Sequence, residues 1–161
     1  RFLADNGVDV AGLQTAPAGA LNSAAFTEMR CDGCQVIIYR RAAADLHLRS
    51  ADIDPAAIAR ARALLVTGTA LSASPSREAT LHAMDLARQA GTVVVLDLDH
   101  RPYGWADLAE ACVYLRQAST LADIVIGNRE EFDVLEHLLP AALRDEGIDV
   151  NQVPWLPRAD A

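Results

Sequence analysis

Three clusters of residues in this chain have types and spacings that could do chemistry. Asp97, Asp99 and Arg101 alternate at the end of an apolar run, so in an extended segment they would share one face. An arginine there can clamp a carboxylate or phosphate through two parallel N–H donors. Asp99 could accept from sugar hydroxyls or hold Arg101 in place. A self-paired Asp–Arg loop cluster explains the same spacing, and the residues leave both readings open. Asn128 and Glu131 stand one helical turn apart, after Gly127. A free helix N-terminus favours anions, and an Asn–Glu pair there could hold a hydrated Mg²⁺ beside nucleotide phosphates. The same spacing fits an Asn N-cap with acidic residues complementing the helix dipole, which spacing alone favours. Tyr39, Arg40 and Arg41 form the third cluster. Its adjacent arginines could meet an anionic substrate, although such pairs are more often solvated.

Other chemistries find no support. His47, His82, His100 and His137 are scattered, none at metal-ligand spacing from another. There is no Ser-His-Asp pattern, no G-x-G-x-x-G and no P-loop. All 14 basic side chains are arginine, so no lysine can form a Schiff base or bind phosphate. Cys31-Asp-Gly-Cys34 is a C-x-x-C, but it lacks a second pair, and Asp32-Gly33 is a hairpin-turn signal. The turn is the preferred reading over metal.

These clusters need a scaffold. The chain has 161 residues, just over half of them hydrophobic, and a net charge of −8. That suffices for one globular domain. No basic stripe suggests nucleic acid, and no apolar run reaches the roughly 20 residues that cross a bilayer. Three cysteines, an odd and low number, suit a reducing, cytoplasmic setting. The start shows no signal peptide and is Arg1, as expected of a processed, truncated or partial chain.

The elements follow from pattern. Residues 1–6 end a helix stopped by Gly7, and Val8–Val10 reads as a short strand. Strands over 24–30 and 35–41 flank the Asp-Gly turn as a β-hairpin. Asp54-Pro55 caps a helix to about Arg62, then Ala63–Thr67 is an apolar strand. Ser74-Pro75 repeats the cap, before an amphipathic helix carrying Leu81, Met84 and Leu86 to about Ala90. Gly91 stops it. Thr92–Leu96, β-branched and not alternating, suits a strand covered on both faces. Residues 106–118 form a helix with Leu108, Ala111, Cys112 and Leu115 on one face, 123–126 a strand, and 130–139 a helix. This α-β-α-β-α-β-α order predicts a parallel sheet with helices on both faces. Ligands of such sheets bind at the carboxyl ends of the strands, where Asp97–Arg101 and Gly127–Glu131 fall.

Four segments together resemble the ribokinase-like (PfkB) sugar kinases: 64–72, Ser74-Pro-Ser-Arg-Glu78, 95–105 and Ile126-Gly-Asn-Arg-Glu-Glu-Phe132. Asn6-Gly-Val-Asp9 is also typical. The D-x-(N/D)-x-R-P and G-N-x-x-E motifs occur in the family order. The resemblance covers roughly residues 1–138. It implies a partial three-layer α/β/α sandwich as a single domain over 1–161, with a lid-like hairpin at about 22–41 and an α/β core at about 54–139. It also implies phosphoryl transfer from ATP, with Mg²⁺, to a sugar hydroxyl. Asn128 and Glu131 match the pair that organises Mg²⁺ and phosphate, Asp99 and Arg101 the strand-end residues near sugar acid and phosphates, and Tyr39 and Arg40 the substrate contacts from the hairpin. The resemblance is strongest to members acting on 5-dehydro-2-deoxygluconate in inositol catabolism; 2-dehydro-3-deoxygluconate is the alternative acceptor. Family members are about twice as long, and the family's G-A-G-D motif, which carries the catalytic base, does not occur in these residues. The expectation is therefore a partial kinase, inactive alone and a possible homodimer through the hairpin. A non-catalytic binding or oligomerisation module built on the same fold is the competing reading.

Overall fold

The computed structural model describes residues 2–31 and 33–136. The chain divides into two compact units, Arg1–Leu48 and Arg49–Ala161.

In the first unit, helix α1 (Phe2–Asp5) ends before Gly7, whose φ of +79° suits a residue without Cβ. Val8–Val10 forms no strand; three apolar-rich residues need a cross-strand partner to become one. Strands β1 (Ala24–Arg30) and β2 (Gly33–Tyr39) form the expected antiparallel hairpin. Its register pairs Arg30 with Gly33, so Gly33 is a strand residue and β2 begins two residues before Gln35. Phe26 meets Tyr39 edge-on, with ring centroids 5.8 Å apart. This is the diagonal cross-strand contact the pairing of Phe26 with Ile37 allows. Phe26, Met29, Val36 and Ile37 are exposed.

The second unit holds the alternating series. Helix α2 (Pro55–Arg60) begins as expected, with the Asp54 carboxylate accepting from the Ala56 N–H at 2.9 Å and Pro55 in the first turn. Strand β3 (Ala63–Thr67) leads into a 3₁₀ turn, Gly68–Leu71, and then helix α3 (Ser76–Ala90). Ser74 does not cap α3; the helix starts two residues later, and the Ser74 hydroxyl donates to Glu78 at 2.7 Å. Gly91 terminates α3 with φ +73°. Strand β4 (Val93–Asp97) lies between β3 and β5 (Ile124–Ile126), parallel to both. Helix α4 (Leu108–Leu121) joins β4 to β5, and α5 (Arg129–Glu136) follows. Residues 137–139 of the expected last helix lie outside the described residues.

The core explains the positions. Val94, Leu96 and Leu98 are fully buried against Ala83, Met84 and Ala87 of α3 and Ala111, Leu115 and Ala118 of α4. Leu108 is exposed at the start of α4, so the buried stripe runs from Ala111 to Ala118. Among the described residues, helices cover one face of this sheet. On the other, Leu65, Val93, Ile124 and Ile126 are exposed. The ladder is pinned at the strand starts. Asp123 donates its N–H to the Val94 carbonyl at 2.9 Å and accepts the Val94 N–H on its carboxylate at 2.8 Å. Buried Thr92 donates its hydroxyl to the Ile58 carbonyl at 2.9 Å. No helix among the described residues is long and apolar enough to cross a membrane.

Candidate functional site

The three parallel strands end at one edge, and the polar residues that follow them meet there. Strand β4 stops at Asp97. Leu98 continues downward into the core, donating its N–H to the Ile126 carbonyl at 2.8 Å. Asp99 then takes φ +34°, left-handed for a residue with a side chain. This turn breaks the extended alternation, so Asp97, Asp99 and Arg101 do not share a face as strand residues. The turn instead brings Asp99 and Arg101 into a direct ion pair.

From Asp99 the contacts run along all three strand ends. The Thr67 and Thr69 hydroxyls lie 2.9 Å apart at the end of β3, and Thr69 donates to Asp99 at 3.3 Å. On the far side, the Arg101 guanidinium reaches the Glu131 carboxylate at 3.3 Å. Glu131 and Asn128 cap each other. The Asn128 N–H donates to Glu131 at 3.0 Å, and the Glu131 N–H donates to the Asn128 side-chain oxygen at 2.9 Å. This is a reciprocal capping arrangement at the start of α5. Glu131 is 8% exposed. Gly127 lets the turn lie on the core: a Cβ there would stand 2.9 Å from Leu98 Cδ1 and 3.3 Å from Glu131 Oε2.

Asp99, Arg101, Asn128 and Glu131 are thus one cluster with alternating charge. Tyr39 and Arg40 belong to the first unit. Tyr39 is exposed, and Arg40 is ion-paired with Asp45. Among the described residues, no group of three or more His, Cys, Asp or Glu side chains converges on a metal position. An open cavity of about 290 Å³, lined by Arg88, Gly91, Thr92, Val93 and Asp123, lies at the opposite edge of the sheet, where the strands begin.

Three contributors escaped the sequence reading. Thr67 and Thr69 were visible only as a Thr-Gly-Thr at a strand end, and the helix-to-loop contacts of Arg77 cannot be read from spacing. Arg77 donates to the Leu71 carbonyl at 2.7 Å, the Ser72 carbonyl at 3.0 Å and Glu110 at 2.9 Å, with its guanidinium carbon 3.8 Å from the Tyr114 ring centroid. His100, between the site's Asp and Arg, stacks on Trp105 with centroids 6.5 Å apart. Burial pushes its imidazole below the usual histidine range, Arg101 adds to that, and Glu131 opposes it.

Glu110 carries a testable acid dependence. The Ala106 N–H, and then Arg77, hold its carboxyl below the usual carboxylate range. Its folded pKa is depressed, so its contribution to stability is present above the unfolded pKa and is lost as pH falls through the folded one. His100, also depressed, acts in the same direction from the ordinary histidine range downward. Glu110→Gln is therefore expected to flatten stability against pH on the acid side of the carboxylate range. Urea melts across that range check this, and an unchanged slope would remove Glu110 from the account.

Comparisons with known proteins agree with this fold. The pfkB family carbohydrate kinase model matches residues 1–146. The chain is 50% identical over 145 residues to a 5-dehydro-2-deoxygluconokinase of Photobacterium profundum, covering 90% of this chain and 44% of that protein. It is 47% identical over 137 residues to one of Geobacillus kaustophilus, covering 84% and 41%. A fructokinase from Xylella fastidiosa with bound ATP superposes with a TM-score of 0.75 at 27% identity, covering 92% of this chain and 45% of that one. A PfkB protein from Polaromonas sp. JS666 gives 0.73 at 29% identity, covering 84% and 46%. The chain spans less than half the length of the curated relatives it matches. Its motifs, its parallel sheet and these likenesses make it a member of the pfkB family of carbohydrate kinases.

Proposed function

We propose that this chain carries the nucleotide-phosphate and sugar-acid edge of a kinase that transfers the γ-phosphate of ATP to a hydroxyl of 5-dehydro-2-deoxygluconate, in the cytoplasm, within inositol catabolism. The observation that carries the reading is the alignment of Thr69, Asp99, Arg101, Glu131 and Asn128 along the carboxyl ends of three parallel strands. The names of the relatives supply the acceptor.

The residues fit a hydrated Mg²⁺ better than a directly ligated one. Glu131 uses one oxygen toward Arg101 and the other toward the Asn128 N–H. Each carboxylate oxygen keeps a lone pair for a metal-bound water, and Mg²⁺ retains most of its waters. When bound, the ion neutralises charge on the phosphates during transfer. Arg101 supplies fixed positive charge at the same edge, and Asp99 and Glu131 hold its guanidinium in place. Tyr39 and Arg40 would meet the sugar acid from the hairpin, whose exposed apolar residues would be the surface of a homodimer. The catalytic base of the family motif is not among these residues, so the 161-residue chain should bind without turning over.

The test is a titration of the ¹⁵N-labelled chain with MgADP. The expected result is shifted amides over 99–101 and 127–131, and loss of those shifts in Arg101→Gln, with no ATP hydrolysis stimulated by the sugar acid. Amides unmoved at millimolar MgADP would overturn the binding reading. Sugar-acid-dependent ATP turnover would overturn the assignment of the chain as inactive.

A further inference from the structure

The β3–α3 and β4–α4 loops that carry Thr69 and Asp99 touch directly. A Cβ on Gly104 would sit 3.4 Å from the Ser72 Cβ. Arg77, at the start of α3, has partners in the β3–α3 loop on one side and in helix α4, with Trp105 before it, on the other. It takes the carbonyls of Leu71 and Ser72 on one side. On the other it pairs with Glu110 at 2.9 Å, packs its guanidinium carbon 3.8 Å from the Tyr114 ring centroid and lies 6.0 Å from that of Trp105. Both loops are tied onward to the site. The Ser72 hydroxyl donates to the Thr69 carbonyl at 2.8 Å, and Thr69 donates to Asp99. Glu110 accepts the Ala106 N–H at 2.9 Å, which fixes the residue after Trp105, and Trp105 stacks on His100 between Asp99 and Arg101.

We propose that Arg77 is a positioning residue that locks these two loops together and so sets where Asp99 and Arg101 stand at the strand ends. This rests on the reading of that edge as the phosphate and sugar-acid site. A planar fork is required. Two carbonyls, a carboxylate and an aromatic face surround one guanidinium, and a lysine ammonium can satisfy only part of that set.

His100 reports on the lock without any ligand. Its ring stacks on Trp105, and burial lowers its pKa while the charges of Glu131 and Arg101 act on it in opposite directions. The experiment follows the four histidines of the full chain by ¹H–¹³C NMR against pH, with His100→Asn to assign the signal. In the wild type, His100 should titrate below the usual histidine range. In Arg77→Lys and Arg77→Gln, the loop should loosen and the His100 midpoint should move up toward the usual histidine range as its ring gains water. A residue that contributes only stability would lower the melting temperature and leave the native His100 titration where it was. That outcome, in either folded variant, would overturn the proposal. Should both Arg77 variants unfold, Tyr114→Leu removes only the ring beneath the guanidinium and must move His100 upward. An unmoved signal there overturns the proposal equally. Failure of MgADP to bind the wild type would instead count against the site reading and leave this titration intact.

Discussion

Replacing Gly68 with alanine is expected to cost more than about 3 kcal/mol, at or beyond the upper end of ordinary overpacking. The position follows β3 directly and is buried. A Cβ there would lie 2.0 Å from the Leu98 carbonyl oxygen, 3.0 Å from its carbon and 2.7 Å from Leu115 Cδ2. The leucine methyl could rotate away, but the carbonyl cannot. Leu98 is fixed by its N–H bond to Ile126, its side chain is fully buried, and Asp99 is already in a left-handed conformation. Relief would require separating the ends of β3 and β4, the edge on which the site is built. Thermal unfolding should shift by roughly 10 °C or more for a unit of this size. Gly104→Ala is the control. Its Cβ would make only ordinary contact with Ser72, so its effect should stay within about 0.5 kcal/mol. A Gly68→Ala melt within two or three degrees of wild type (less than about 1 kcal/mol) would mean that the strand ends do not approach as described.

The same close approach shows what the sequence could and could not convey. Strand β3 has the bounds its composition implies, Asp54 caps its helix, and Gly91 ends α3, because each depends on neighbours within four residues. The pairing of Asn128 with Glu131 was likewise legible from spacing, and the reciprocal hydrogen bonds bear out the cap. Features set by distant partners were not legible. The turn at Asp99 follows from burying Leu98 under Gly127 and beside Gly68, which lie about thirty residues away on either side. Alternation therefore misplaced Asp99 and Arg101 on a common strand face, although their association was foreseen. Arg77 depends on Glu110, 33 residues on, and on two carbonyls whose direction is set by the 3₁₀ turn. Val8–Val10 had strand composition but found no pairing partner. Thr69 joined the site through a contact with Asp99 that only the parallel register of β3 with β4 creates.

Glu131→Gln separates the two roles that spacing left open at the start of α5. Glutamine keeps an acceptor for the Asn128 N–H, so the capping hydrogen bond at the helix start survives, with a neutral acceptor in place of a charged one. What it removes is the negative charge beside Arg101. If Glu131 were only a cap, ADP affinity with Mg²⁺ and with a chelator would change together and slightly. If Glu131 holds metal-bound water, the two must move apart. Loss of a charge-assisted contact is worth about 1.5–3 kcal/mol, so affinity with Mg²⁺ should fall roughly 10- to 100-fold. In the chelator the opposite sign is expected: Arg101, released from its partner at 3.3 Å, has a donor free for phosphate, and affinity should rise. Calorimetry of both variants in both buffers gives the four affinities. The expected result is a Mg²⁺ enhancement in the wild type that vanishes in Glu131→Gln. An enhancement of equal size in both would leave Asn128 and Glu131 as a helix cap, and phosphate recognition would then rest on Arg101 and the α5 N–H groups alone.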